Sequence, residues 1–405
     1  MSEVLRGVRV VELASWTYVP SAGAALADWG ADVIKVEPVQ GGDPGRALVV
    51  GGFTKEAARA KIDFILEIGN RGKRSIAIDL RQPEGQVAAQ KLALSADVVL
   101  QNFKPGTLAK YGLDYAALSA RNPRLIYVNH TGFLPGPYEN RLALDEVVQM
   151  MGGLAYMTGR PGDPLRAGSS VNDIMGGMFG AIGAMAALMQ RGITGRGQEV
   201  DAALFENNVL LVGQHMLQYA ITGQAAAPMP ERISPWGVYD VFSVAEGEQV
   251  FIAAVSDAQW QQLCEALGWQ DLRCDPQLAT NNDRVRARAQ LLPLLRERLA
   301  TQPLATLTTL FERHGLPYAP IVRPEQLYDD PHLNASGGLA EITLPDGARA
   351  GHSVRTTLLP LRLDGQRPAV RHNPPHKGEH TQALLQALGY SAAEIEALYE
   401  NKIVL

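Results

Sequence analysis

The sequence predicts an α/β protein. A large Rossmann-like domain with a mostly parallel sheet comes first, a smaller α+β domain follows, and a C-terminal segment returns to the first domain. Three observations lead there. Over residues 7–133, short runs rich in Val and Ile alternate with helical patterns through short loops, the order that builds parallel strands joined by crossover helices. At Gln224 the composition shifts to a linker, QAAAPMP, and beyond it the pattern becomes a strand pair followed by helices. Hydrophobic residues make up 46% of the 405 and charged residues 20%, ordinary for a globular chain with a large core. The expected boundaries are 1–224, 225–335 and 336–405.

Gly7 to Ala14 reads as a Val-rich strand, Ser21 to Trp29 as a helix of small and apolar residues, and Ala31 to Pro38 as a second strand. That unit implies parallel pairing. Glu37 stands where dinucleotide-binding folds hold a ribose hydroxyl. The first strand, however, runs into SWTYVPSAG rather than G-x-G-x-x-G, so the backbone cannot approach a pyrophosphate in that way. A glycine-rich loop, Gly41 to Arg46, leads into a weakly helical segment ending at Gly69. Asn70 to Leu80 is a basic turn feeding a strand, and Pro83 to Leu94 a helix with proline in its first turn. A strand at 96–103, a short helix at 114–121 and a strand at 124–133 follow. Such sheets bind ligands beyond the carboxyl ends of their strands, which singles out Asn102, Phe103, Asn129, His130 and Thr131.

Further on, Ala143 to Tyr156 is a helix with Gly152-Gly153 near its end, and Gly195 to Leu204 a turn and short strand leading into a helix through Ala220. VYDVFSV and QVFIAAV form a hairpin about Glu246-Gly247, with helical patterns at 257–268, 283–300 and 303–314. The tail carries HNPPHKGEH and two short helical segments.

The stretch from Arg166 to Arg191 has its own character. Gly176, Gly180, Gly183 and Ala187 recur three or four residues apart and fall on one helical face, where another backbone can come close. Each glycine weakens a helix by roughly 1 kcal/mol relative to Ala, so tight packing has to offset that. Asp173 stands at the start of this helix, near free N–H groups and the positive end of the dipole, which favours an ionised carboxylate. Asp173 reads either as a first-turn capping residue or as a carboxylate nucleophile on a rigid helix.

Net charge of −5 points to neither nucleic acid nor an anionic membrane surface. The start of the chain lacks a signal-peptide pattern. Ile174 to Met189 is too short and glycine-rich for a membrane span. Two cysteines, Cys264 and Cys274, make no disulfide framework and no metal site, so the expectation is a cytoplasmic protein without metal or prosthetic group.

Seven stretches taken together resemble one family. LRGVRVVELA, GADVIKVEP with GGDPGR, NRGKRSIAIDL, ADVVLQNFKPG, NPRLIYVNHTGF with GPY, GRGQEVD and the closing GEH to GYSAAEI are similar, in order and over nearly the whole chain, to the class III CoA-transferases, a family that includes α-methylacyl-CoA racemase as a divergent branch. The resemblance implies an interlocked homodimer, with coenzyme A or acyl-CoA and a small carboxylic acid as substrates. It gives the catalytic role to Asp173, in GSSVNDIMGG. It lays CoA along Asn102, Phe103 and Lys104, with Lys110 after the turn, and along Ile78, Asp79, Leu80 and Arg81. An adenosine phosphate and pyrophosphate need cations and N–H donors, and a ring such as Phe103 can flank adenine. Where some members carry Arg after the V-E pair this chain has Pro38, leaving Arg46 or Arg81 to take that part. The loop that covers the site in formyl-CoA transferase has no counterpart near Glu231 to Gly237, which argues against formyl-CoA and oxalate.

The branches differ at one position. The racemase pairs its Asp with a His, and here Leu144 occupies that place. Transfer of an α-proton from one face to the other needs two titratable groups; His130 reads as structural. The expected reaction is therefore CoA transfer, with Asp173 passing through a mixed anhydride and an aspartyl-CoA thioester and backbone N–H groups near the helix start holding the oxyanions. A CoA-binding subunit without activity is a further alternative. Trp16, Tyr18, Tyr138 and Met157 either shape the acid pocket or pack the core.

Overall fold

The structure, a computed structural model, describes residues 3–47, 61, 62, 64–232 and 234–405. It forms two compact units, one of Met1–Pro230 with Pro331–Leu405 and one of Glu231–Asp330. The divisions expected at 225 and 335 thus fall at Glu231 and Asp330.

The first unit is built on a six-stranded sheet: β1 (Arg9–Leu13), β2 (Asp32–Glu37), β3 (Lys73–Ala77), β4 (Val98–Gln101), β5 (Ile126–Thr131) and β6 (Glu199–Ala203). Their order is β3-β2-β1-β4-β5-β6, and every neighbouring pair is parallel. The chain direction of the order reverses between β1 and β4, the place where doubly wound sheets open a crevice beyond the strand ends. The helices of this unit before the insertion are α1 (Tyr18–Asp28), α2 (Phe64–Asn70), α3 (Pro83–Leu94), α4 (Tyr115–Ser119), α5 (Asp145–Met151), α6 (Leu154–Thr158), α7 (Val171–Thr194) and α8 (Leu204–Thr222).

Alternation along the strands feeds two cores. Val11, Ile34, Ile76 and Val99 pack with Ala88 and Leu92 of α3 on one face. Val10, Val33, Val98 and Ile126 pack with Val19, Ala22 and Leu26 of α1 and with Ala181, Ala184 and Ala187 of α7 on the other. These side chains are almost wholly buried, each worth roughly 1.5–3 kcal/mol for a Val, Leu or Ile.

The glycine face of α7 is used as its spacing implies. A Cβ on Gly176 would lie 2.8 Å from the Tyr18 ring, one on Gly177 2.6 Å from the Tyr18 carbonyl, and one on Gly183 2.8 Å from Val200. Helix α7 is long and apolar enough to cross a membrane by length and composition alone, yet this face is the bed for α1, β5 and β6.

The second unit holds the expected hairpin, β7 (Val238–Ser243) with β8 (Gln249–Ala254), extended by β9 (Tyr318–Pro320), all antiparallel. Helices α9 (Asp257–Ala266), α10 (Gln270–Arg273), α11 (Asn281–Arg286), α12 (Arg288–Leu299) and α13 (Leu304–Arg313) surround a core of Trp260, Phe242 and Phe311. After it come α14 (Pro331–Ala335), the hairpin β10 (Leu339–Thr343) with β11 (Ser353–Thr357), α15 (Thr381–Ala387) and α16 (Ala392–Glu400). The last two helices put Leu384, Leu385, Ile395 and Leu398 onto the α3 face of the sheet, and Val404 bridges to Ile78.

Several elements differ from the sequence reading for local reasons. Helix α1 begins at Tyr18, not Ser21, because Pro20 falls in its first turn, where no N–H bond is lost. The helix expected over 143–156 breaks into α5 and α6 at Gly153, which takes φ +85°. The pattern at 283–300 is two helices meeting at Ala287. The weakly helical segment before Gly69 lies mostly outside the described residues; its end is α2.

Candidate active site

Helices that lead into or out of parallel strands run opposite to them, so α1 and α7 both begin at the carboxyl ends of the strands. Asp173 occupies the first turn of α7, half-buried. The four N–H groups of that turn are all engaged. Val171 N–H donates to Ser169 O (2.8 Å), Ile174 N–H to Ser170 O (3.0 Å), and Asn172 and Asp173 N–H both to Asp145 Oδ2, at 2.7 and 3.0 Å. Asp145, from the start of α5, therefore takes the anion position of this helix. Two expectations are corrected here: these N–H groups are not free to hold an oxyanion, and the helix start does not keep Asp173 ionised. Burial, then the nearby Asp145 and Glu146, push its carboxyl up to about 7.

Asp145 is itself buried and accepts from the Gln149 amide, while Gln149 Oε1 accepts from Ala167 N–H at 2.8 Å. Asn172 is fixed from α8: its amide donates to Asn208 Oδ1 (3.1 Å) and its Oδ1 accepts from Asn207 (2.9 Å). Reasoning from sequence missed Asp145, Gln149, Asn207 and Asn208. LDEVVQ and ENN carry no spacing that marks them, and apart from the Asp145–Gln149 bond within α5 these contacts join segments 18 to 36 residues apart.

One turn along α7 from Asp173, Tyr18 fills the space that the missing side chain of Gly176 leaves. Its hydroxyl is buried without a hydrogen-bond partner, and burial followed by Asp173 and Glu206 raises its pKa. Tyr18 meets His130 edge-on, ring centroids 5.0 Å apart. Burial holds the His130 imidazole neutral, down at about 4. His130 is sealed beneath Gly180, and the other position of interest, Leu144, is an exposed apolar residue before α5. Neither supplies an accessible partner to Asp173 for moving a proton between two faces. Of the other pocket candidates, Met157 packs with Val212 and Ala226, and Tyr138 stacks edge-on with Phe133 at 5.7 Å.

At the crevice between β1 and β4, Asn102 is fastened across the gap: its Oδ1 accepts from Ser15 N–H (3.2 Å) and its Nδ2 donates to Ser15 O (2.8 Å). Next to it, exposed Trp16 adopts φ 71°, a left-handed conformation costly for a large residue, with its N–H donated to Asp43 Oδ1 at 3.2 Å. Asp43 ends a buried charge chain. Lys35 Nζ lies 2.8 Å from Asp43 and 3.0 Å from Glu12, and the other Glu12 oxygen lies 2.6 Å from Lys73 Nζ. The β1–α1 loop is thus held by Asn102 on one side and by this chain on the other.

A cavity of about 500 Å³ opens beside the carboxyl end of β4 and runs along one face of β5 and β6. Phe103 and Lys104 line it, with Asn129, Glu199 and Asp201 across from them and Phe133 at one edge; Phe133 also packs with Tyr18 in one cluster. Asp173 is not among the lining residues. The remaining CoA candidates are elsewhere. Ile78 is buried in the core, Asp79 donates its N–H to Ile403 O (2.8 Å), Leu80 packs against the α3 core, and exposed Arg81 pairs with Asp79 at 2.7 Å. These sit at the end of β3, three strand spacings, or about 14 Å, from β4. Lys110 is exposed in a short turn of helix, Leu108–Tyr111. Arg46 is committed to Glu37 by two bonds (2.7 and 2.9 Å) and to Pro375 O (3.1 Å). Although burial acts the other way, Arg46 holds Glu37 down at about 2.

Comparison with known proteins gives a consistent result. The model of CoA-transferase family III matches residues 5–381. The chain is 36% identical over 391 residues to a succinate–glutarate CoA-transferase of Agrobacterium fabrum, covering 95% of each chain. It is 32% identical over 403 residues to a succinyl-CoA–D-citramalate CoA-transferase of Chloroflexus aurantiacus, covering 99% of this chain and 98% of that one. Among solved structures, a CAIB/BAIF family protein from Brucella suis superposes with a TM-score of 0.84 at 35% identity, over 95% of this chain and 99% of that one. With the motifs in order, the parallel sheet and likeness along almost the full length, the chain belongs to the class III CoA-transferases and is an enzyme of that type.

Proposed function

We propose that this enzyme moves CoA from succinyl-CoA or a similar donor to a short dicarboxylic acid, with Asp173 as the nucleophile. The observation that carries the reading is a half-buried carboxylate on a rigid helix at the strand ends, raised to about 7 and so more basic than an ordinary acid. Asp173 attacks the thioester carbonyl and expels CoA thiolate, forming a mixed anhydride. The thiolate attacks the aspartyl carbonyl and releases the donor acid as its carboxylate, leaving an aspartyl-CoA thioester. The acceptor carboxylate attacks that thioester, giving a second anhydride and thiolate, and the thiolate then takes the acceptor acyl group and frees Asp173. Each exchange is divided into steps with a good nucleophile and a good leaving group.

CoA lies across the strand ends from Arg81 at β3 to Phe103 and Lys104 at β4, with Lys110 beyond, a span a pantetheine chain can bridge. The names of the relatives support a succinyl donor and a dicarboxylic acceptor. Arg141, 4.0 Å over the Tyr138 ring, offers a cation for a distal carboxylate. We further propose a homodimer, interlocked as the family likeness implies. Exposed Met189 and Ile193 on α7 and Leu217 and Ile221 on α8 support an apolar contact surface.

The test is mass spectrometry of the protein after donor acyl-CoA and hydroxylamine. A hydroxamate at Asp173 is expected; an unmodified Asp173, or full turnover by Asp173→Ala, overturns the scheme.

A further inference from the structure

Asp145 and Asp173 are 28 residues apart in the chain and adjacent in space. A carboxylate in the first turn of a helix ordinarily gains from the N–H groups there. In this protein Asp145 takes that gain: its Oδ2 accepts from both Asn172 and Asp173 N–H, its Oδ1 from Gln149, and Gln149 is tied to Ala167. Only 4% of Asp145 is exposed, so it cannot turn to solvent, and its three donors make the buried charge tolerable. Asp173 keeps the like charge and none of the compensation.

We propose that Asp145 is a positioning residue of the transfer reaction: it fixes the first turn of α7 and sets a negative charge beside Asp173, which raises the free energy of the free Asp173 carboxylate and favours its covalent forms, in which that carboxyl is uncharged. This rests on Asp173 being the nucleophile. A more basic carboxylate attacks a thioester more readily and leaves an anhydride less readily, so the enzyme-bound acyl and CoA adducts hold their own against the ordinary acids they exchange with. The other titratable groups facing Asp173 are Glu146 on α5, with its partner Arg166, and Tyr18 on α1; Glu206 on α8 and neutral His130 on β5 adjoin Tyr18.

Asp145→Asn keeps an oxygen for both N–H groups and removes the charge, while Asp145→Glu keeps the charge. Two quantities are measured on the purified full chain: the pH dependence of kcat, and the fraction of protein trapped as Asp173 hydroxamate after donor acyl-CoA alone. For Asp145→Asn the acidic limb should move to lower pH and the trapped fraction near neutral pH should fall about tenfold, with KM for acyl-CoA little changed. The Glu variant should keep the wild-type limb. A limb and trapped fraction like the wild type in the Asn variant overturn the proposal, as does a loss of kcat that is equal at every pH. If the Asn variant does not fold, Glu146→Gln carries the test, with a smaller shift of the limb expected in the same direction and no shift counting against it. Failure of the nucleophile reading is visible separately, as a wild-type enzyme that forms no adduct at Asp173.

Discussion

Gly180 lies so close to His130 that a methyl group on its Cα would come within 1.9 Å of the imidazole Nε2. Both residues are buried, and neither α7 nor β5 can retreat without opening the core. Gly180→Ala should therefore destabilise the protein by about 1–3 kcal/mol, despite the better helix propensity of Ala. The urea midpoint should fall with an unchanged slope; a midpoint at or above the wild-type value would mean that the two elements are not packed as described.

Asp173 carries a stability signature independent of any assay. Its carboxyl sits at about 7 against an ordinary 3.8, so between those values the folded protein holds a proton that the unfolded chain has released. Its contribution is complete below the lower value and is lost as pH rises through the higher one. Asp173→Asn should thus be more stable than wild type at about pH 8 by on the order of 1–3 kcal/mol, with the gain shrinking toward about pH 4. Denaturation curves across that range check it, and a gain independent of pH would contradict it.

Glu12 stands between two fully buried lysines. Glu12→Gln leaves Lys35 and Lys73 to share a closed space without their common anion, so a loss of about 3–5 kcal/mol is expected. Gly23 belongs to the same arrangement, since a Cβ there would fall 2.1 Å from Glu12 Oε2. Thermal unfolding of Glu12→Gln measures the effect; retention of the wild-type Tm would show that the cluster adds nothing.

Among the basic residues of the CoA reading, exposure divides the outcomes. Lys104→Ala and Arg81→Ala should each weaken CoA binding by about three- to tenfold, in a salt-dependent way, while leaving Tm within a degree or two. Arg46→Ala should lower Tm, because it strands Glu37 in a buried position. Calorimetric titration with CoA separates the two classes.

Light scattering should report twice the chain mass of 43.7 kDa. Ile193→Glu, at a residue 89% exposed in this chain, should shift the balance toward monomer without unfolding it. A monomeric wild type would remove the proposed interface.

Much of this architecture is legible in the sequence. Pro83 to Leu94 is a helix with the expected ends, because Pro marks the start and the pattern lapses at Ser95. The buried strands announce themselves through Val and Ile, and the glycine stripe of α7 signals a close neighbour, which is α1. What was not legible depends on contacts between distant segments. Nothing in LDEVVQ says that Asp145 will occupy the start of α7, so a local argument from the helix start omits the neighbouring charge that, after burial, raises Asp173. The break at Gly153 was hidden because Gly is tolerated inside helices and only its positive φ reveals the turn.

The seat of the last two helices has a consequence for biosynthesis. Leu384, Leu385, Ile395 and Leu398 cover a sheet face whose strands are complete once residue 203 has left the ribosome. At about 5–20 residues per second, that apolar surface stays bare for on the order of ten seconds or more while the inserted unit and the remainder are translated. Nascent-chain protection by a chaperone is the natural companion of such a layout, and arrest before residue 380 should leave a product prone to aggregate.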